Sequence, residues 1–377
     1  MNAQPWRFVV DRRGLRSTRC IADPDAPAAR PLADGEARLA VEQFALTANN
    51  ITYAAFGDAM QYWQFFPSGD AGFGCVPVWG FARVVESRCE GVEPGRRVYG
   101  YLPMGTHLVV QPARVRPRGF VDGVAHRAPL AAAYNEYLDV EHDPMHLAGR
   151  EGLQSLLRPL FTTSFLLADH LAESAFHGAT RVLVSSASSK TAWGTAFCAA
   201  QTAGPVIVGL TSRRNLAYVR ALGCYGEVLA YDELQTLPVD RPSVYVDFSG
   251  DAALREAVHR HLGDALRHDA VIGGSHWQAL RPQADPALPG PKPTFFFAPE
   301  QARRRAAEPP EGWGRQGLEQ RLAAAWQAFV ARVDEPGRRW LEVHALRGPE
   351  ALTAAFASLR DGRVEPQLGL VVDARGR

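Results

Sequence analysis

The spacing of apolar positions changes character along the chain, and the change divides it. In the first third the apolar runs are short. Trp6 to Val10 reads as a strand, and Glu36 to Thr47 (EARLAVEQFALT) alternates as a strand does. From Val76 onward, runs rich in Val and Tyr are separated by the turn sequences Glu93-Pro94-Gly95-Arg96 and Pro103-Met104-Gly105. Such spacing predicts a compact antiparallel β domain. From Arg181 the pattern becomes a buried strand (Val182 to Val184), a small polar turn, an apolar helix to about Ala203 and a second strand from Val206 to Leu210. That is a βαβ unit. Strands over Gly226–Tyr231, Ser243–Phe248, Asp269–Ile272 and Thr294–Phe297, with helices over Asp251–Leu262 and Gly317–Val333, extend it into a parallel sheet.

The turn after the first strand of this unit reads Ser185-Ser186-Ala187-Ser188-Ser189-Lys190-Thr191. A dinucleotide fingerprint places glycines there, for the tight turn and for close approach of a pyrophosphate to the helix N-terminus. Here hydroxyls and one ammonium replace them. Only Lys190 and Lys292 among the 41 basic residues are lysines, and lysine offers a phosphate a compact point charge where arginine offers a planar fork. Ser188 and Ser189 equally suit helix N-caps. After the second strand, Thr211-Ser212-Arg213-Arg214-Asn215 holds two arginines and no acid. An acid would suit a ribose 2′-hydroxyl and an arginine a 2′-phosphate, so the segment favours NADP over NAD, or is a solvated first turn. Ser249, Gly250, Gly273, Gly274 and Ser275 follow later strands and converge on the same carboxyl edge of the sheet.

Length and composition bound the alternatives. A chain of 377 residues accommodates two domains. A formal net charge of +1 argues against a nucleic-acid partner. No apolar run reaches 18 residues and no secretory signal is visible, so a cytoplasmic location without a membrane is expected. Five scattered cysteines fit reduced thiols.

The ordered pattern resembles the medium-chain dehydrogenase/reductase superfamily, in its zinc-free quinone-reductase and enoyl-reductase branches. Val92 to Gly100 (VEPGRRVYG) resembles the family's "V..GDRV.G" turn, with Arg96 where Asp is usual. Leu222-Gly223-Cys224 resembles its "LGA", and Ala351 to Asp373 resembles its closing helix, turn and strand. The strings Ala133 to Tyr137 (AYNEY), Leu156 to Asp169 (LLRPLFTTSFLLAD) and Ser185 to Ala192 (SSASSKTA) resemble an uncharacterised bacterial branch with no assigned reaction. The resemblance implies an α/β fold: a GroES-like β-rich domain over residues 1–158 and 318–377, and a doubly wound Rossmann-type nucleotide-binding domain over 159–317. It also implies that residues 119–158 are an insertion near the cleft, and that the chain can form a homodimer.

In such a reductase, hydride passes from a nicotinamide to an activated alkene or carbonyl, and a Tyr or Asn of the β domain orients or protonates the substrate. Asn50, Tyr53 and Tyr134 are the candidates for that role. Packing for Tyr53 and a turn for Asn50 are the competing assignments. The aromatics Phe56, Tyr62, Trp63, Phe65, Phe66 and Trp79 suggest an apolar, planar or acyl small-molecule substrate, or simply a core. Val78-Trp79-Gly80 stands where the zinc-dependent branch carries Gly-His-Glu. Pro144 interrupts the i, i+4 pair His142 and His146, so no metal is expected. Ser186, Ser188 or a Ser189/Lys190 pair as a hydrolytic nucleophile lacks the flanking glycines of a nucleophile elbow. The alternative to a reductase is a non-redox lyase, hydrolase or ligand-binding protein on the same fold.

Overall fold

Two compact units divide the chain, residues 1–157 with 342–377 and residues 158–341; among the described residues the first is built on a nine-stranded and a three-stranded sheet and the second on a six-stranded one. The structure is a computed structural model and describes residues 4–202, 204–272 and 288–375.

In the first unit, the alternating segment Ala37–Leu46 lies at the centre of a mostly antiparallel sheet. It pairs with Pro77–Ser87 on one side and Leu368–Asp373 on the other, so the end of the sequence returns to complete the sheet begun near its start. Gly80 allows the closest approach there: a Cβ would stand 2.2 Å from the Gln43 carbonyl oxygen. Glu342–Arg347 pairs in parallel with Leu368–Asp373 at the sheet edge. Almost every residue of that strand is solvent-exposed, so it has no hydrophobic alternation and leaves no sequence signal.

The expected insertion is part of the sheet. Gly119–Asp122 and Glu136–Asp139 pair with each other, and the latter with Arg97–Pro103. Arg127 is buried among them, donating to Asp122, Asn135 and the Tyr137 hydroxyl. Arg96, in the place of the usual Asp, donates to Asp139 at 2.6 Å and to the carbonyls of Gly91, Arg116 and Pro117, and so ties three turns together.

Among the described residues, six strands form the parallel sheet of the second unit, in spatial order Glu227–Ala230, Val206–Thr211, Arg181–Val184, Ser243–Asp247, Leu266–Ile272, Thr294–Phe296. The order reverses beside Arg181–Val184, as in doubly wound folds. Helix Lys190–Ala199 starts on the Ser189 side chain, which accepts the Ala192 amide. Its Gly194 lets it approach helix Glu151–Glu173, where a Cβ would stand 2.8 Å from Ser164 Oγ, and that hydroxyl donates to the Thr191 carbonyl. The division falls at residue 341, whereas 317 was expected from the sequence. Helix Gly314–Val333 accounts for the difference: its Trp326 and Phe329 pack on Phe161, and Phe329 also stacks on Trp193, all within the second unit. Among the described residues no helix is long and apolar enough to cross a membrane.

Candidate functional site

The strand Arg181–Val184 is fully buried, and the chain leaves it through a turn that glycine would normally ease. Ser186 takes the left-handed conformation itself, with φ 48°, at a cost of about 1–2 kcal/mol for a residue with a side chain. Three contacts hold it there. The Ser186 amide donates to the Tyr231 hydroxyl at 3.1 Å, its carbonyl accepts from the Ser189 amide at 2.7 Å, and the next amide, Ala187, donates to the Leu210 carbonyl. Ser188 accepts from Asn215 at 3.1 Å. The turn is thus a closed hydrogen-bonded structure in which Ser186, Ser188 and Ser189 remain half-buried.

Lys190 opens the helix at the end of this turn. Burial of its ammonium lowers its pKa from 10.5 to about 8, because a charged amine loses hydration that a low-dielectric site does not restore. An anion placed beside it would favour the charged form.

Arg213 behaves differently from its sequence expectation. Its guanidinium is held by Asp232 at 2.7 Å and by Glu233 at 3.4 Å. The acid that is missing after the second strand is therefore supplied from the segment after the third. The Ser212 hydroxyl oxygen is buried without a hydrogen-bond partner among the described residues.

The loop after the fourth strand is organised by Asp247, which is fully buried. Its Oδ1 accepts from the Ser185 and Ser249 hydroxyls and from the Ser249 and Gly250 amides, and its Oδ2 from Arg255 at 2.5 Å. Burial pushes this carboxyl upward, but the Ser249 bonds and the Arg255 charge outweigh it and hold it below the usual range. Arg255 also lies 3.6 Å from buried Asp269, which binds His259 Nε2 at 2.8 Å, while His259 Nδ1 meets the Pro289 carbonyl. Two nitrogens that both face acceptors favour the imidazolium form of the ring and raise its pKa. The resulting set, two carboxylates with a guanidinium and a histidine whose protonation balances the charge, is a buried network that sequence inspection does not reveal. Its members come from two strands and a helix. Gly273, Gly274 and Ser275, and Ala203 at the expected helix end, lie outside the described residues.

In the first unit, Thr47 caps helix Ala48–Ala55, a segment whose sequence suggests only a structured loop. Asn50 is 3 % exposed: its Oδ1 accepts from the Thr47 amide and its Nδ2 donates to the Pro77 carbonyl, so both ends of the amide are engaged. Tyr53 packs on Tyr62 with ring centroids 4.3 Å apart, and Tyr134 stacks on Tyr101 at 4.6 Å. Trp79 lies within 6 Å of both Tyr101 and Tyr134. Burial, then the neighbouring Tyr134 and Tyr62, raises the Tyr53 phenol well above its ordinary value, so Tyr53 stays a hydrogen-bond donor at any physiological pH. Tyr101, not singled out from the sequence, is fully buried with its hydroxyl unpartnered among the described residues. Tyr137 is buried and donates to the Tyr101 carbonyl at 2.7 Å. His142 and His146 bond to Asp139 and Gln154 respectively.

The sequence model of one family, described as protein of unknown function (DUF2855), matches residues 44–365. The chain belongs to that family. A search among curated proteins finds no significant match. Solved structures resemble this DUF2855 chain over nearly its whole length. CurA from Vibrio vulnificus, crystallised with NADPH, has a TM-score of 0.59 at 13% identity, with 98% of each chain covered. A quinone oxidoreductase from Coxiella burnetii has 0.55 at 12%, covering 98% of this chain and 99% of that one. A mitochondrial 2-enoyl thioester reductase from Candida tropicalis has 0.53 at 10%, with the same coverage. The DUF2855 chain therefore has the medium-chain dehydrogenase/reductase fold, a GroES-like β-rich domain with a Rossmann-type domain.

Proposed function

We propose that this chain is a zinc-independent, NADPH-linked reductase of an activated alkene or carbonyl. The observation that carries the proposal is the convergence at the carboxyl edge of the parallel sheet. There the Ser185–Thr191 turn with its half-buried Lys190 stands beside the Asp247 loop, in a fold shared with a protein crystallised with NADPH. Lys190, Ser188, Ser189 and Thr191 would hold the diphosphate, Arg213 and Ser212 the 2′-phosphate and ribose, and Ser249 and Gly250 the nicotinamide end. When bound, that cofactor supplies a hydride. The chain's own residues would do the rest. Tyr53, whose phenol burial keeps neutral, and Tyr134 would donate a hydrogen bond to the substrate's carbonyl oxygen, where negative charge develops. Tyr62, Trp63, Phe65 and Phe66 are core residues, and the partly buried rings of Tyr53, Trp79 and Tyr134 packed against them would favour a planar or acyl substrate.

A second proposal has its own observation. The Ser186 amide and the Arg213 guanidinium already have partners within the chain, which favours a non-redox ligand or a binding protein. A fluorescence titration with NADPH and NADH separates the two. Saturable NADPH binding that weakens at least tenfold in Lys190→Ala supports the reductase; no binding of either cofactor removes it.

A further inference from the structure

Arg213 and its acidic partners do more than form a surface ion pair. The segment Tyr231–Thr236 reaches both candidate cofactor hooks at once: Tyr231 holds the amide of Ser186 in the phosphate turn, and Asp232 and Glu233 hold Arg213. The two acids are not equivalent. Glu233 Oε2 also accepts the Ala230 amide at 2.9 Å and closes the capping box of its own turn, so it is anchored. Asp232 is 60 % exposed at its side chain, and Arg213 63 %. A pair this exposed is weakly bound and easily exchanged.

We infer that Asp232 is the residue that sets cofactor choice, by competing with a ribose 2′-phosphate for Arg213. The inference rests on the nicotinamide site proposed above. A 2′-phosphate carries up to two negative charges and would have to displace the carboxylate and then remain beside it. A ribose 2′-hydroxyl would instead find in Asp232 a ready acceptor. The same pair therefore holds NADPH affinity below what an unpaired Arg213 would give and offers NADH an acceptor, so the preference for NADPH is smaller than two arginines and no acid imply in the linear sequence. Removing the single charge of Asp232 should favour NADPH by about three- to tenfold, the scale of one charge acting on a phosphate across a few ångströms of hydrated surface.

The test measures dissociation constants for NADPH and NADH by nicotinamide fluorescence, using the wild type, Asp232→Asn, Arg213→Ala and the double variant, at low and at moderate ionic strength. The expected result is that Asp232→Asn tightens NADPH three- to tenfold with NADH unchanged or weaker, less so at higher salt, and that the gain vanishes when Arg213 is also replaced. An NADPH-to-NADH ratio unmoved within twofold in Asp232→Asn, with both cofactors still binding, overturns the inference. So does a gain that persists without Arg213. Binding of neither cofactor to the wild type removes the proposed function itself, and the inference with it.

Discussion

The hydroxyl of Tyr231 accepts the backbone N–H of Ser186, 45 residues earlier in the chain, at 3.1 Å. A residue from the third strand's exit thus holds the turn at the first strand's exit, and takes a donor that fingerprint turns present to a diphosphate. Tyr231→Phe frees that amide. Because the diphosphate is common to both cofactors, NADPH and NADH should tighten alike, by about two- to fivefold, while the strained Ser186 loses a support worth about 1 kcal/mol. Paired titrations and urea unfolding check the two effects separately.

If Lys190 meets the cofactor's phosphates, affinity should fall on the alkaline side. Its ammonium is lowered to about 8 by burial, so the free protein loses the charge as pH passes that value. NADPH binding should weaken by about an order of magnitude between pH 7 and pH 9. Lys190→Arg should flatten the profile, since arginine keeps its charge throughout. A wild-type profile level from pH 7 to 9 would show that this charge does not meet the phosphates.

Two histidines of the second unit give stability opposite slopes with pH. Burial, then the charges of His177 and His170, lowers His268 from 6.5 to about 4, and its ring stacks on His177 with centroids 4.0 Å apart. The unfolded chain takes up the extra proton first, so this contribution is complete above about pH 6.5 and fades toward pH 4, by about 1–2 kcal/mol allowing for partial exposure. His259 runs the other way. Burial opposes its charge, but Asp269 and the Pro289 carbonyl outweigh burial and raise its pKa. Its contribution is full below about pH 6.5 and is lost as pH rises through the raised folded value. Urea midpoints across pH 4 to 9 should lose their acid slope in His268→Gln and their alkaline slope in His259→Gln.

Asn50 and Tyr53 share one short helix and should separate cleanly on mutation. With both ends of its amide engaged, Asn50→Ala should lower stability by about 1–2 kcal/mol through loss of the cap and leave kcat nearly unchanged. Tyr53→Phe should leave stability within about 1 kcal/mol, since the ring packing stays, and lower kcat about 10- to 100-fold if its hydroxyl assists the substrate oxygen. Thermal unfolding and steady-state rates on a conjugated carbonyl substrate distinguish the two patterns.

The linear pattern contains much of the architecture. Expected strands at Trp6–Val10, Ser243–Phe248 and Thr294–Phe297 lie within a residue of those observed, and so do the helix over Asp251–Leu262 and the closing strand that ends at Asp373. Each buries one face or both, and burial is what periodicity records. Glu342–Arg347 escaped because it is exposed along its length, and the helix over Ala48–Ala55 because its start depends on a cap rather than on an apolar stripe.

What the sequence determined by itself is the order of elements, the missing fingerprint glycines and the singular lysine at the turn. All of these are local properties of neighbouring residues. Tertiary structure decided the partners. Asp232 meets Arg213 across 19 residues, Tyr231 meets Ser186 across 45 and Ser185 meets Asp247 across 62. Adjacent parallel strands bring their carboxyl ends together whatever their separation in the chain. Whether Arg213 is free for a phosphate or already matched by an acid depends on that pairing of strand ends, which no local pattern encodes.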